Sequence, residues 1–261
     1  MKYLKFEGLI LTVILASIFI SGCTTAEIES KLAPKAKPAE KTAFLGDKPM
    51  RPRGDIPFHS AWVKTGFNKN DYNRIYIAEV DLSHLKNMSW WNEIEGQVTK
   101  TDMQERVENI AEYTRDVFEN AFLADPKQKY RVTSRPGADT LILEIAIIEA
   151  IPNKKGFEAI TRGLGLINPA VSLAGSIARS KGSKSSVAFE ARIRDGATNE
   201  IVVQIADREQ EKVSYINTKD FQWYGHIESI IEEWADQFVQ LANRAPTDII
   251  SDTPGFNLKM W

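Results

Sequence analysis

Residues 187–206 read VAFEARIRDGATNEIVVQIA, and this stretch decides the fold. Val187, Phe189, Ala191 and Ile193 alternate with Glu190, Arg192 and Arg194, so one face of an extended segment is apolar and the other charged. The run Asp195-Gly-Ala-Thr-Asn199 is turn chemistry, and Glu200 to Ala206 returns as a second extended segment. A hairpin with one apolar and one wet face follows. Such a hairpin needs something to cover its apolar side.

Upstream, Thr140 to Ile151 (TLILEIAIIEAI) is apolar on both faces and reads as a central strand. Arg74 to Leu82 (RIYIAEVDL) and the short Tyr130 to Ser134 read as further strands, the latter closed by Arg135-Pro136-Gly137. Between them, Met103, Val107, Ile110, Thr114, Val117, Phe118 and Ala121 recur at helical spacing over Asp102 to Leu123. Thr101 with Gln104 fits a capping box, and Asp125-Pro126 stops the helix. Ile227, Ile230, Ile231, Trp234, Phe238 and Leu241 form the apolar face of a second helix that ends before Pro246. The order strand, helix, four strands, helix predicts an α+β fold: a largely antiparallel sheet with two amphipathic helices on one face.

The chain opens with a positive segment, Met1 to Lys5, then an apolar run from Leu9 to Ile20 and the small residues Ser21-Gly22. Ile20-Ser21-Gly22-Cys23 resembles the bacterial lipobox. That resemblance implies cleavage before Cys23 and lipid on its sulfur and amino terminus. The apolar run is short for a spanning helix, which needs roughly 20 residues. Thr24 follows the cysteine, where retention in the inner membrane typically goes with Asp, so the expected address is the periplasmic face of the outer membrane.

The boundaries expected are a signal peptide over 1–22, a flexible linker over 23–57, a folded domain over 58–245 and a tail over 246–261. The linker is rich in Lys, Ala and Pro, including Pro34, Pro38, Pro49, Pro52 and Pro57. It would span roughly 30 Å as a coil and about 100 Å fully extended.

The 261 residues carry a formal charge of -2. Without residues 1–22, which hold Lys2, Lys5 and Glu7, 31 basic and 34 acidic residues remain, for -3. No basic surplus draws the chain to nucleic acid. Cys23 is the only cysteine, which excludes an internal disulfide and, once lipidated, a thiol nucleophile.

Catalytic signatures are missing: there is no G-x-S-x-G elbow, H-E-x-x-H helix or Walker loop. His59, His84 and His226 are scattered, and Asp207-Arg208-Glu209 reads as a solvated strand end rather than an acid/base pair. No catalytic residue, metal site or cofactor is expected.

Two features point to binding. An insertion over 156–184 holds the uncharged, small-residue-rich run GLGLINPAVSLAGSIA, in which Leu164, Leu166, Ile167, Val171 and Leu173 would touch a membrane. Its other reading is a crossover packed on the domain. Aromatic residues at element ends, Trp62, Trp90, Trp91 and Trp223 foremost, either contact a glycan or protein partner or plug the ends of the sheet.

Taken together, Pro57 to Gly66, Tyr72 to Asp81, Met88-Ser-Trp-Trp91, Ala191-Arg-Ile-Arg-Asp-Gly196 and Asp207-Arg208-Glu209 resemble domain-of-unknown-function family 3313, a set of bacterial lipoproteins. The resemblance covers roughly residues 43–245. Glu79 departs from it, standing where many such proteins have proline. The family has no established activity, so no catalytic residue carries over. The leading expectation is a non-enzymatic binding or scaffolding module of the cell envelope, bound to the membrane through Cys23 and to another envelope protein or peptidoglycan. A subunit of an oligomeric secretion or efflux assembly, inserting residues 156–184, comes second, and an envelope hydrolase third.

Overall fold

The structure, a computed structural model, describes residues 35–85, 100–151, 185–211 and 225–252. Within them lie six strands: β1 (Ser60–Val63), β2 (Arg74–Ile77), β3 (Arg131–Val132), β4 (Thr140–Ile151), β5 (Ser186–Asp195) and β6 (Ile201–Gln210). Two helices, α1 (Lys100–Leu123) and α2 (Gly225–Asn243), and a short 3-10 turn at Lys69–Asp71 complete the set. The strands form one mixed sheet in the order β1-β6-β5-β4-β2-β3. The three ladders from β1 to β4 are antiparallel, and β2 runs parallel to both β4 and β3. A parallel neighbour requires a crossover, and α1 lies in the connection from β2 to β3.

Both helices cover one face. Phe118 and Phe122 of α1 and Ile227, Trp234 and Phe238 of α2 pack on Leu143, Ile145, Val187, Phe189 and Ala191. The centre is aromatic: Phe189 meets Trp234 edge-on at 4.5 Å between centroids, and Phe238 meets both Phe118 and Phe58 at 5.2 Å. Asp125 ties the helix ends together. Its carboxylate accepts from the Lys127 and Lys129 amides, both at 3.0 Å, and from Asn243 Nδ2 at 2.9 Å.

The predicted α+β arrangement is present, with differences that have physical causes. β1 is absent from the sequence reading because four residues, SAWV, are too few to show a period. The strand expected over 74–82 stops at Ile77, beyond which the chain keeps a bond from the Ala78 amide to Leu143 O and a bridge from Asp81 to Ala146. Thr101 lies inside α1 rather than before it. The alternation in β4 breaks where Ile147 and Ile148 stand side by side, and the register against β5 shifts there. This bulge turns Ala150 toward the helices and frees Glu149 for the opposite face, where it accepts from Ser186 Oγ at 2.8 Å and Arg208 Nε at 2.6 Å.

The larger correction concerns the other face, which is not wet. Residues 35–51, expected as linker, lie across it as a strap. Phe44 and Leu45 are buried against Ala146, Ile148 and Ala188. Strand side chains hold the strap's backbone: Glu190 accepts from the Thr42 amide at 2.7 Å, Gln204 Nε2 donates to Leu45 O at 2.6 Å, and Arg192 Nη1 donates to Phe44 O at 2.9 Å. The Arg192 guanidinium also sits 3.8 Å from the Phe44 ring centroid. Glu190 and Gln204 are fully buried. The tail likewise begins later than expected, because Ile250 is buried and its amide bonds to Asp55 O at 3.2 Å.

Candidate functional site

Two places in the described residues bring chemistry-bearing groups together. The first lies where the strap, the entry to β1, the end of β6 and α2 meet. Asp207 is 4% exposed. It accepts from the His59 amide at 3.0 Å and from Trp234 Nε1 at 3.0 Å, and it pairs with the His59 ring through Nδ1. His59 Nε2 lies 2.6 Å from Ala36 O. Lys35 adds a cation 3.3 Å from Asp207, 3.3 Å from Glu209 and 2.8 Å from Asp252.

Burial alone would raise the Asp207 pKa. The His59 hydrogen bond, with the charges of Lys35 and His59, overcomes it and holds the group below its ordinary value. Burial would lower the Lys35 pKa, and Asp207, Asp252 and Glu209 outweigh it and raise it.

The Asp207-Arg208-Glu209 triplet is therefore not a solvated strand end. Its acids clasp Lys35 of the strap, which also pairs with Asp252 of the tail, while Arg208 bonds Glu149 and reaches Lys37 O at 3.4 Å. The His59 ring bridges the Asp207 carboxylate at Nδ1, which the Arg208 amide also approaches at 3.2 Å, and the strap's Ala36 carbonyl at Nε2. The pair holds the strap to the end of β6. The other histidines have separate partners: His84 is 3.8 Å from Asp81 and His226 is 3.4 Å from Glu211. Among the described residues no group of three or more His, Cys, Asp or Glu side chains could hold a metal ion.

The second place is a cavity of about 570 Å³ between the sheet and the helices, at the end of the core where α2 terminates. Ile75, Leu143 and Val203 of the sheet form one wall, and Phe122, Phe238 and Leu241 of the helices form the other. The volume falls within the roughly 300–1,000 Å³ typical of small-molecule sites. The charged residues in its lining are Arg53, Lys69 and Arg244, all cations.

Each of the three also has a structural partner. Lys69 Nζ donates to the carbonyls of Leu241 and Ala242, both at 2.9 Å, and of Arg244 at 2.6 Å, and so caps α2. Arg53 Nε and Arg244 Nη2 bond the Asp55 carboxylate at 2.8 and 2.7 Å. The Arg53 bond first, with Arg244 behind it, holds Asp55 well below the usual carboxylate range against the opposing effect of burial. Burial and the nearby Arg244 and Lys129 charges push the Lys69 pKa down.

Of the residues expected to make contacts, Trp62 lies on edge strand β1, half-buried, with Lys48 Nζ 5.0 Å from its ring centroid. Phe67, which follows β1, packs on the core and against Tyr72 with ring centroids 5.9 Å apart. Cys23, Trp90, Trp91, Trp223, Leu164, Leu166, Ile167, Val171 and Leu173 lie outside the described residues. The ends of the 156–184 insertion are nevertheless informative. Ile151 pairs with Ser186, so the connection joins neighbouring antiparallel strands and is not a crossover. Neither the cavity nor the clasp was visible in the sequence, because each assembles residues from segments far apart in the chain.

The model of the family described as "Protein of unknown function (DUF3313)" matches residues 40–238, from within the strap to within α2. A comparison with curated proteins finds no match. Among solved structures, the chain is similar to two of the PelC dodecamer from Paraburkholderia phytofirmans, one of them a point variant. Each has 8% sequence identity and a TM-score of 0.37, over 72% of this chain and 98% of the other.

Proposed function

We infer that this chain, which belongs to the DUF3313 family of proteins of unknown function, is a non-enzymatic binding module of the bacterial cell envelope. In this reading it is held at the periplasmic face of the outer membrane by lipid on Cys23. The cavity carries the binding part: it is walled by apolar side chains, and the charged groups around it are engaged in holding the fold. Such a site offers burial and orientation to a bound molecule. The anchor rests on the run from Met1 to Cys23.

Growth of the native bacterium with labelled palmitate tests the anchor. Label should appear on the full chain in the outer-membrane fraction and vanish in Cys23→Ser. Label retained by that variant, or a wild-type chain free in the periplasm, would refute it. Native mass spectrometry of the purified chain should show a retained small molecule, recovered chemically unchanged. A molecule converted on incubation with the chain would instead make it an enzyme.

A further inference from the structure

We propose that the cavity takes the single hydrocarbon chain of an anionic amphiphile, with its acidic head at Arg53, in the positive field of Lys69 and Arg244. This deepens the binding reading above and rests on it.

The depth of the cavity selects the tail. Its walls come from the sheet and both helices, and Ile75, Leu143 and Phe122 are each under 5% exposed. A polar ligand lying among them would lose its hydration without gaining hydrogen bonds, whereas a hydrocarbon chain loses nothing there.

The charged lining selects the head. Arg53, Lys69 and Arg244 converge at the end of α2, and no acidic residue among the described ones lines the cavity. The carboxylate behind them, Asp55, is shared by two guanidiniums, so the group keeps a positive surplus. Lys69 covers the last carbonyls of α2, which removes the negative helix end that would otherwise repel an acid. Burial first, and then the charges of Arg244, Lys129 and Lys127, lower the Lys69 pKa, with Asp248 opposing them. Arg53 is the most accessible of the guanidiniums, its side chain 38% exposed against 17% for Arg244. It is placed to meet a head group at the surface while its stem follows the apolar wall.

The test uses the full chain in neutral maltoside micelles with three photoreactive probes of one chain length: a fatty acid, the matching alcohol and the matching trimethylammonium salt. Cross-linked residues are mapped by mass spectrometry. The fatty acid should label cavity residues such as Ile75, Leu143 or Phe238 at least about threefold more than the alcohol, as one exposed charge pair would give. Arg53→Gln should lower that preference toward equal labelling by the acid and the alcohol. Leu241→Trp, which fills the cavity from the partly exposed side of α2, should lower all signals. Equal labelling by the three probes, or preference for the cation, would overturn the acidic head and leave an apolar binding site standing. No cavity labelling by any probe, in a chain that still melts cooperatively, would overturn both.

Discussion

Asp207 shows how a single residue changes meaning between sequence and structure. In the sequence it stands beside Arg208 and Glu209, and local self-pairing is the economical reading. In the fold its partners are Lys35, His59 and Trp234, up to 172 positions away, and nothing in the triplet announces them. Asp207→Asn removes the charge from a buried, multiply bonded site and should cost about 2–3 kcal/mol in urea unfolding at neutral pH. The pH dependence has a definite sign. The folded pKa of Asp207 is depressed, so its contribution is present above the unfolded value of about 3.9 and fades as pH falls through the folded one. The stability gap between wild type and variant should therefore close as pH drops from about 5 toward 2. A gap independent of pH would show that the charge does not stabilise the clasp. Lys35 acts in the opposite direction, its contribution lasting up to about pH 10.4 and declining as pH rises through its raised folded value.

At the scale of elements, legibility followed periodicity. β4, β5 and β6 and the two helices declare themselves through repeats of two or 3.6, and the structure places them within a few residues of expectation. The strap carries no period. Its apolar anchors are adjacent, Phe44-Leu45, and its remaining hold comes from strand side chains bonding its backbone. A segment fixed this way has the composition of a linker. Its partners in the strands, Glu190 and Gln204, hold its backbone, yet in the sequence their polarity reads equally well as a wet face. Phe44→Ala should weaken the strap by about 3 kcal/mol. In hydrogen exchange, amides bonded within residues 35–51 should lose protection while those of β4 to β6 on the helix-covered core keep theirs. Uniform loss across the sheet would mean that the strap does not open separately. The cavity was illegible for a related reason. Its walls belong to elements whose existence the sequence shows, but its volume depends on how those elements meet.

For the molecule as a whole, the strap moves the start of the folded domain from Pro57 back to Lys35. Given lipid on Cys23, only 12 peptide steps separate the anchor from the clasp, at most about 40 Å of extended chain. The reach of about 100 Å implied by a linker running to Pro57 shrinks accordingly. Neutron reflectometry of the lipidated full chain on a supported bilayer should find the near edge of the protein layer within about 40 Å of the head groups. A protein layer separated by twice that distance would contradict either the clasp or the anchor. A ligand taken up by the cavity would then be exchanged close to the membrane surface.

The connection from β4 to β5 has a consequence of a different kind. About 34 residues leave the sheet at Ile151 and re-enter beside it at Ser186, so both ends are fixed by one antiparallel ladder. Replacing the connection with a four-residue turn would alter loop-closure entropy by only about 2 kcal/mol, and in the favourable direction. That makes the segment an exchangeable cassette. The same scaffold can carry a long, short or wholly different insert at this point without re-routing a strand, so proteins sharing this sheet can diverge there first.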